Sequence, residues 1–333
     1  MAKNMNRRDF LKGAAVSALG MATLGAMPMA AVAEEAWDIE TEVLVVGAGG
    51  AGVRYVMDRP RYEHHLRDSY TINGEPARFS LLPADEASPA DLVLLAVKYP
   101  QLEGALDTMA SSIRPGTIVL SLMNGVTSEK IVAERFPQAR VVTCVAQGMD
   151  AMRRGTSLVY TVHGELHVGV PEDARTPQLD EALDEVCDLL ARTKTPFVRE
   201  KDINYRLWFK YMLNVGINQS CMVFGVGYGE ATTPGTEACA INVAAMREVR
   251  EVAAHEGVTL TEADVAHCLE LEARLDPQAT PSMGQDRLAG RPSEVDMFAG
   301  TMVELGRRFG VLVPANAWLL RRVRQIEEAY PRG

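Results

Sequence analysis

Three polar residues stand at every fourth position within one apolar stretch of the chain: Lys210, Asn214 and Asn218. In an α-helix this spacing places them on one face, one above another. Asparagine is a poor helix-interior residue, and an unpaired buried polar group costs about 1–3 kcal/mol, so the stripe predicts partners in a polar cleft. A lysine there can donate a proton to a substrate oxygen and stabilise negative charge on it. The alternative is a solvent-facing stripe with a snorkelling lysine.

A second group of residues is rich in glycine. Gly47, Gly49 and Gly52 fit the G-x-G-x-x-G pattern directly after residues 41–46, an apolar run that predicts a buried parallel strand. In a dinucleotide-binding fold these glycines permit a tight turn, close approach of the pyrophosphate and packing of the next helix. They therefore indicate cofactor binding, with a structural glycine turn as the alternative.

The helix that this pattern requires is missing from the sequence. Residues 53–58 follow Gly52 at once and predict a second strand, although a parallel crossover needs a dozen or more residues. At the end of that strand, Asp58 favours a ribose 2′-hydroxyl and NAD(H), whereas Arg59 and Arg61 favour a 2′-phosphate and NADP(H). A solvated charged loop would need neither ligand.

The elements that must position these residues alternate between strands and helices. This order predicts an α/β fold, a doubly wound Rossmann-like parallel sheet without its first helix, followed by an all-helical C-terminal domain. Strands are expected at 91–97, 117–120 and 140–145, helices at 102–113 and 128–136, and a hairpin at 158–170 around His163-Gly164.

The C-terminal part has helical spacing throughout. Its helices are expected at 202–224, 236–255, 261–275 and 293–309, the last with Ser293-x-x-Asp296 as a capping box. We divide the sequence into a leader at 1–33, a dinucleotide-binding domain at 37–195 and a helical substrate domain at 196–330.

The leader carries an export pattern. Arg7-Arg8, an apolar stretch and the small-residue site Ala31-Val32-Ala33 follow one another in the order of a twin-arginine (Tat) signal. Together with residues 37–52, the leader resembles the start of an exported FAD flavoprotein of the fumarate-reductase class. The simplest hypothesis is a flavoprotein-like start joined to a different enzyme.

Composition excludes several classes of function. A net charge of -10 argues against a nucleic-acid partner. The five cysteines form no C-x-x-C pair and no zinc pattern, so we expect buried free thiols, as in a reducing compartment, and no metal. No stretch beyond the leader is long and apolar enough to span a membrane.

From about Val53 onward the chain resembles the ketopantoate reductase (2-dehydropantoate 2-reductase) family. The order and spacing of several short motifs carry the resemblance. They are Ala96–Gln101, Met123-Asn124-Gly125, Lys210-x-x-x-Asn214-x-x-x-Asn218, Ser282–Asp286, Glu294-Val295-Asp296-x-x-x-Gly300 and Val313–Asn316.

The resemblance implies roles for individual residues. Lys210 would be the proton donor, and Glu294 would be its partner and bind a substrate hydroxyl. Asn214, Asn218 and Ser282 would hold the substrate. Without the family, Glu294 reads as a carboxylate that complements a helix dipole, and Ser282 as a cap or turn residue.

Two further residues would serve the cofactor side of the reaction. Asn124 would lie near nicotinamide and substrate, and Lys98 would approach the cofactor phosphates. A plain Asn-Gly turn and a solvated strand-end lysine are the alternatives.

The predicted reaction is NADPH-dependent reduction of 2-dehydropantoate to (R)-pantoate, or of a related small 2-oxo acid. NADP(H) is the expected cofactor and NAD(H) stays open, as does a homodimer. A cofactor-deficient fusion protein is the alternative, because the first helix is missing. Family function places the enzyme in the cytoplasm, whereas the leader predicts Tat export without a membrane anchor in the mature form.

Overall fold

The computed structural model describes residues 42–46, 53–149 and 151–330, with the backbone alone at 42–46, 53 and 152–154. The chain forms two units that divide between Ile203 and Asn204. Strands of the first unit are β1 (Glu42–Val46), β2 (Val53–Met57), β3 (Tyr70–Ile72), β4 (Glu75–Ala77), β5 (Leu81–Pro83), β6 (Leu92–Ala96), β7 (Ile118–Ser121), β8 (Arg140–Met149), β9 (Met152–Arg154), β10 (Ser157–Val159), β11 (His163–Gly169) and β12 (Phe197–Arg199). Its helices are α1 (Arg59–His65), α2 (Leu102–Met109), α3 (Ser128–Arg135) and α4 (Pro177–Thr193).

Eight strands form the main sheet, in the order β12-β11-β8-β7-β6-β1-β2-β5. Side chains alternate between its two faces, as the period of a strand requires. Leu92 and Leu120 pack on one face with α4, whereas Leu95 and Val119 pack on the other with α2 and α3. Helices thus cover both faces, which confirms the predicted doubly wound α/β architecture.

The first strand runs against its neighbours. β2 pairs in parallel with β5, and β6 in parallel with β7, but β1 is antiparallel to both β2 and β6. The prediction of a parallel first strand is therefore wrong. The physical reason is the short connection from Val46 to Val53, which leaves no room for a crossover.

This reversal defines two edges of the sheet. The carboxyl edge is where β2, β6 and β7 end, at Met57, Ala96 and Ser121. The amino edge is the opposite one, where β6 begins at Leu92. Val46 pairs with Leu92, so β1 ends at the amino edge.

The predicted hairpin around His163-Gly164 is also wrong. β10 belongs to a separate sheet, in the order β4-β3-β10-β9, whereas β11 pairs with β8 and β12. Gly164 has a φ of +65°, and a Cβ there would lie 2.3 Å from the Gln147 carbonyl oxygen. The glycine therefore permits close approach of two strands.

The second unit contains helices and no strand among its described residues. Thr236 and Thr261 cap two of the helices, and Thr261 forms a capping box with Asp264. Gly257, with a φ of +77°, follows the first of these two helices. The helices are α5 (Ile203–Phe224), α6 (Tyr228–Thr232), α7 (Glu237–His255), α8 (Glu262–Ala273), α9 (Ser282–Leu288), α10 (Thr301–Phe309) and α11 (Pro314–Glu328). Four of them, α5, α7, α8 and α10, lie within the ranges that the sequence predicts.

The predicted helix at 293–309 begins differently from the expectation. Residues Asp296–Gly300 form a π-helical turn, called the π-turn below, which leads into α10. Ser293 does not cap it. Its N–H and hydroxyl both donate to Glu327 Oε1, at 2.7 and 2.6 Å, because α11 brings that carboxylate to the site.

The five cysteines are free thiols, four of them buried. Within residues 53–149 and 151–330, no three His, Cys, Asp or Glu side chains are grouped so as to hold a metal ion. None of the helices in the described chain has the length and apolar character that crossing a bilayer requires.

Candidate active site

The polar stripe lies on α5, as predicted. Lys210 and Asn214 are half-buried and Asn218 is buried, while Met212 and Val215 between them are fully buried. A helix with this many apolar contacts tolerates asparagines because tertiary packing outweighs their weak helix propensity. The stripe is therefore partly buried within the helical unit, and its burial increases from Lys210 to Asn218.

Asn214, Asn218 and Ser282 form one hydrogen-bonded chain. Ser282 Oγ donates to Asn218 Oδ1 at 2.8 Å, the Met283 N–H donates to the same oxygen at 3.4 Å, and Asn218 Nδ2 donates to Asn214 Oδ1 at 3.4 Å. Three residues predicted to bind substrate are thus brought together. The two donors on Asn218 Oδ1 also fix which way its amide points.

Ser282 is the first residue of α9, and Pro281 is the N-cap residue of that helix. α9 is held against the C-terminal end of α5 by Arg287, whose guanidinium donates to the carbonyls of Met222 and Val223. A cation at this position satisfies carbonyls that a helix end leaves without partners. The Ser282–Asn218 contact therefore rests on a fixed pair of helices.

Glu294 is buried, with 7% of its surface exposed, and lies two residues before the first residue of the π-turn. Its carbonyl oxygen accepts from the Phe298 N–H at 3.1 Å. The preceding residue, Ser293, is anchored by Glu327. The backbone on both sides of this predicted catalytic residue is therefore fixed.

In the first unit, Lys98 follows β6 and Asn124 follows β7. Because these strands are parallel, both residues lie at the carboxyl edge, where doubly wound sheets bind ligands. Both are half-buried. Gly125, with a φ of +95°, makes the turn after Asn124.

At the same edge, the charged residues after β2 are already engaged. Asp58 caps α1 by accepting from the Arg61 N–H at 2.9 Å. The Arg59 guanidinium pairs with Glu86 at 2.8 Å and Asp85 at 2.6 Å, and these two carboxylates raise its pKa further above the usual value. A 2′-phosphate would therefore compete with two acidic side chains for Arg59.

Gly47, Gly49 and Gly52 lie outside the described residues, but both flanks of the loop are described. Val46 pairs with Val53 and with Leu92, at the amino edge. Lys98 lies roughly 20 Å from this edge along the strand direction.

The residues present therefore fit a dinucleotide only in part. Lys98 and Asn124 stand at the carboxyl edge, where doubly wound sheets bind ligands. For the glycine loop, only the flanks are described: they lie at the opposite edge, and β2, rather than a helix, follows the loop. The N–H groups of a helix start that cradle a pyrophosphate are thus missing from this point of the sequence.

Glu129 is not among the predicted site residues. It is a half-buried residue in the first turn of α3. Ser128 Oγ donates to it at 2.9 Å and in turn lies 2.8 Å from Ser121 Oγ at the end of β7. Burial raises the pKa of Glu129 to about 7. In the sequence, the feature that points to Glu129 is its position, five residues after Asn124 and at the start of the helix that follows β7.

Comparisons with known proteins agree with this arrangement. Residues 43–173 match the family model "Ketopantoate reductase PanE/ApbA", residues 202–327 match "Ketopantoate reductase PanE/ApbA C terminal", and residues 4–25 match the twin-arginine translocation signal sequence. The 2-dehydropantoate 2-reductase of Vibrio cholerae is 24% identical over 305 residues, which cover 87% of this chain and 99% of the relative. That of Archaeoglobus fulgidus is 26% identical over 263 residues, 79% of this chain and 85% of the relative.

Solved structures share the fold. D-mandelate dehydrogenase with NADH and anilino(oxo)acetate has a TM-score of 0.73 at 22% identity and covers 83% of this chain and 91% of its own. A PanE/ApbA family ketopantoate reductase from Ralstonia eutropha has a TM-score of 0.67 at 25% identity, with 81% and 89% covered. A dimeric ketopantoate reductase from Staphylococcus aureus has a TM-score of 0.65 at 18% identity, with 79% and 87% covered. Because the two family models together span most of the chain, it belongs to the ketopantoate reductase family of NAD(P)H-dependent oxidoreductases.

Proposed function

We propose that this chain reduces 2-dehydropantoate to (R)-pantoate, with NADPH as the preferred hydride donor and NADH as the second. The observation that carries the proposal is the hydrogen-bonded chain Asn214–Asn218–Ser282 on the helix of Lys210. A 2-oxo acid offers a carboxylate and a ketone oxygen, and this site offers amide donors and an ammonium group. The curated relatives named 2-dehydropantoate 2-reductase support the same substrate.

The asparagines hold the substrate in this proposal. Asn218 Oδ1 accepts from Ser282 and Met283, and Asn218 Nδ2 donates to Asn214 Oδ1. These hydrogen bonds use both polar atoms of the Asn218 amide and the Oδ1 atom of Asn214, but not Asn214 Nδ2. It is placed to donate to the substrate carboxylate or hydroxyl, and a donor that is already oriented adds affinity at a small entropic cost.

Lys210 is the proton donor in the proposed reaction. As the carbonyl carbon is reduced, negative charge develops on its oxygen, and a half-buried ammonium both stabilises that charge and supplies the proton. Glu294 binds the substrate hydroxyl and is the partner of Lys210. The nicotinamide supplies the hydride when it is bound. Lys98 and Asn124 at the carboxyl edge are the residues that would hold it.

The test is NADPH oxidation by the purified chain with 2-dehydropantoate, with an aromatic 2-oxo acid for comparison. Lys210→Ala should lower kcat roughly 100-fold or more, since a positioned acid contributes about 10²–10⁴ in rate. Lys201→Ala, at an exposed lysine, is the matched control and should keep the wild-type rate. Equal turnover in the Lys210 variant would disprove the assigned role, and turnover of the aromatic acid alone would disprove the substrate.

The twin-arginine match at residues 4–25 supports Tat-dependent export of the folded chain, whereas NADPH-dependent biosynthesis belongs to the cytoplasm. We propose that the leader is functional and that the precursor folds before export. Fractionation of cells that express the chain, with Arg7→Lys/Arg8→Lys as the control, tests this. A protein that stays in the cytoplasm with an intact leader would contradict it.

We also propose a homodimer, which the dimeric relative from Staphylococcus aureus supports. Sedimentation of the purified chain tests the assembly, and a monomer at micromolar concentration would contradict it.

A further inference from the structure

The segment after Glu294 is a π-turn rather than a regular α-helix. The Gly300 N–H donates to the Val295 carbonyl at 3.0 Å, the five-residue bond that defines the turn. Such turns are rare in proteins, and many of those that occur lie at functional sites. The extra residue in the turn changes which side chains face a neighbouring element. This one follows a predicted catalytic residue.

Two side chains of α5 contact the π-turn directly. Tyr211 Oη donates to the Phe298 carbonyl at 2.9 Å and to the Met297 carbonyl at 3.3 Å. Gln219 Oε1 accepts from the Ala299 N–H at 3.1 Å. Tyr211 and Gln219 stand eight residues apart on one face of the helix, and both are almost fully buried.

The orientation of the Gln219 amide is fixed by other bonds. Its Nε2 donates to the Val215 carbonyl at 2.7 Å and lies 3.5 Å from Asn316 Oδ1. Asn316 is fully buried, and its Nδ2 donates to Glu248 Oε2 at 2.8 Å. The Val313–Asn316 motif of the sequence thus serves to hold Gln219 with its oxygen toward the π-turn.

We propose that Tyr211 and Gln219 are positioning residues that keep the helix carrying Lys210 in a fixed relation to Glu294. Tyr211 directly follows Lys210, and the carbonyls that it binds belong to the third and fourth residues after Glu294. Ser293, on the other side of Glu294, is anchored independently by Glu327. Each proposed catalytic residue therefore stands beside a buried anchor.

This inference rests on the proposed function, in which Lys210 and Glu294 act together. A purely structural role for Tyr211 makes a different prediction: its loss would lower stability and leave the chemistry of the folded enzyme unchanged. The experiment must therefore measure the environment of the Lys210 side chain as well as the melting temperature of the protein.

The test variant is Tyr211→Phe, which keeps the ring packed against Trp208 and Phe298, with centroids 5.7 and 6.2 Å away, and removes only the hydroxyl. The matched control is Tyr205→Phe on the same helix. The Tyr205 hydroxyl donates at 2.6 Å to Asp264 of α8 and not to the π-turn. Each variant removes one phenol hydroxyl, from a buried residue at Tyr211 and from a half-buried residue at Tyr205.

Tyr211→Phe should lower kcat roughly tenfold, the effect of one lost hydrogen bond, with KM for NADPH unchanged. Tyr205→Phe should leave kcat unchanged. A readout without turnover is the ¹³Cε resonance of Lys210 at fixed pH, assigned by its loss in Lys210→Ala. It should shift in Tyr211→Phe and stay in place in Tyr205→Phe.

An unmoved Lys210 resonance and full kcat in a folded Tyr211→Phe variant would overturn the inference. If the wild type turns over no 2-oxo acid but the resonance still shifts, the proposed function fails and the positioning role stands. If Tyr211→Phe does not fold, Gln219→Met, which removes the acceptor for the Ala299 N–H, gives the same test from the other end of the π-turn.

Discussion

The two units of the molecule carry their proposed functional residues in different ways. In the helical unit, Asn214, Asn218 and Ser282 contact one another through side chains from α5 and α9. In the sheet unit, Lys98 and Asn124 share an edge only because β6 and β7 run in the same direction. The first arrangement depends on contacts between side chains, and the second depends on strand direction.

The glycine loop shows what this difference teaches. Its residue types match a dinucleotide cradle, yet β1 runs antiparallel to β2 and β6, so the flanks of the loop lie at the amino edge. A phosphate-binding motif functions only if the strand before it points toward the ligand. A helical stripe has no such requirement, because its spacing alone places its members on one face.

The largest expected effect is a difference between the two units in how the free energy of unfolding depends on pH. Glu272 in the helical unit is 1% exposed, accepts from Asn242 Nδ2 at 2.8 Å, and burial raises its pKa to about 8. The folded chain therefore keeps this proton between pH about 4.5 and about 8 while the unfolded chain loses it, so the free energy of unfolding falls as pH rises through this window.

Glu272→Gln should remove that fall, which is on the order of 5 kcal/mol at pH 9. The measurement is urea unfolding between pH 5 and pH 9. Glu129→Gln is the comparison in the sheet unit, where the corresponding window ends near pH about 7. A wild-type stability that does not change across pH 5 to 8 would refute the assignment.

Asn218→Ala should have the next largest effect. It leaves both the Ser282 hydroxyl and the Met283 N–H without their shared acceptor, so kcat/KM should fall roughly 100-fold. Ser282→Ala removes one donor and keeps the acceptor, so we expect only about a tenfold loss. Steady-state kinetics with 2-dehydropantoate measure both values, and equal losses would show that the hydrogen-bonded chain does not act as one unit.

A smaller effect concerns the cofactor side. Asp85→Asn with Glu86→Gln frees Arg59 from its two carboxylates and should tighten NADPH binding about threefold to fivefold, since exposed ion pairs are weak. NADH binding should not change. Asp107→Asn, which frees Arg135 from a comparable exposed pair, is the control. An equal gain for NADH would show that Arg59 does not contact a 2′-phosphate.

The smallest effect is the sharpest test of the comparison. Gly49→Val should change NADPH affinity by less than about twofold, because the flanks of its loop lie at the amino edge. Lys98→Ala should weaken it roughly tenfold through loss of a charge-assisted contact. Fluorescence titration gives both dissociation constants. A loss of tenfold or more in Gly49→Val, at an unchanged melting temperature, would show that the loop does hold the cofactor.

Local signals in the sequence predicted the local structure well. The helices that begin after Thr236 and Thr261 and the polar stripe on α5 depend on residues within one or two helical turns, so spacing alone identifies them. Lys98 and Asn124 were likewise predictable, because residues after neighbouring parallel strands share an edge.

Non-local pairing explains what could not be predicted. Ser293 fits a capping box, but Glu327, from 34 residues further along the chain, takes both of its donors. The direction of β1 depends on a connection too short for a crossover, which overrides the preference for a parallel strand after a glycine pattern. Gly164 suggests a turn in sequence and instead permits strand contact.

The reversal of β1 has a practical consequence for protein engineering. Glu42 pairs with Ala96, so the chain before residue 42 joins the sheet at the carboxyl edge, on the side of Lys98 and Asn124. An affinity tag or fluorescent label attached directly before Glu42 would therefore lie at that edge, on the side of Lys98 and Asn124.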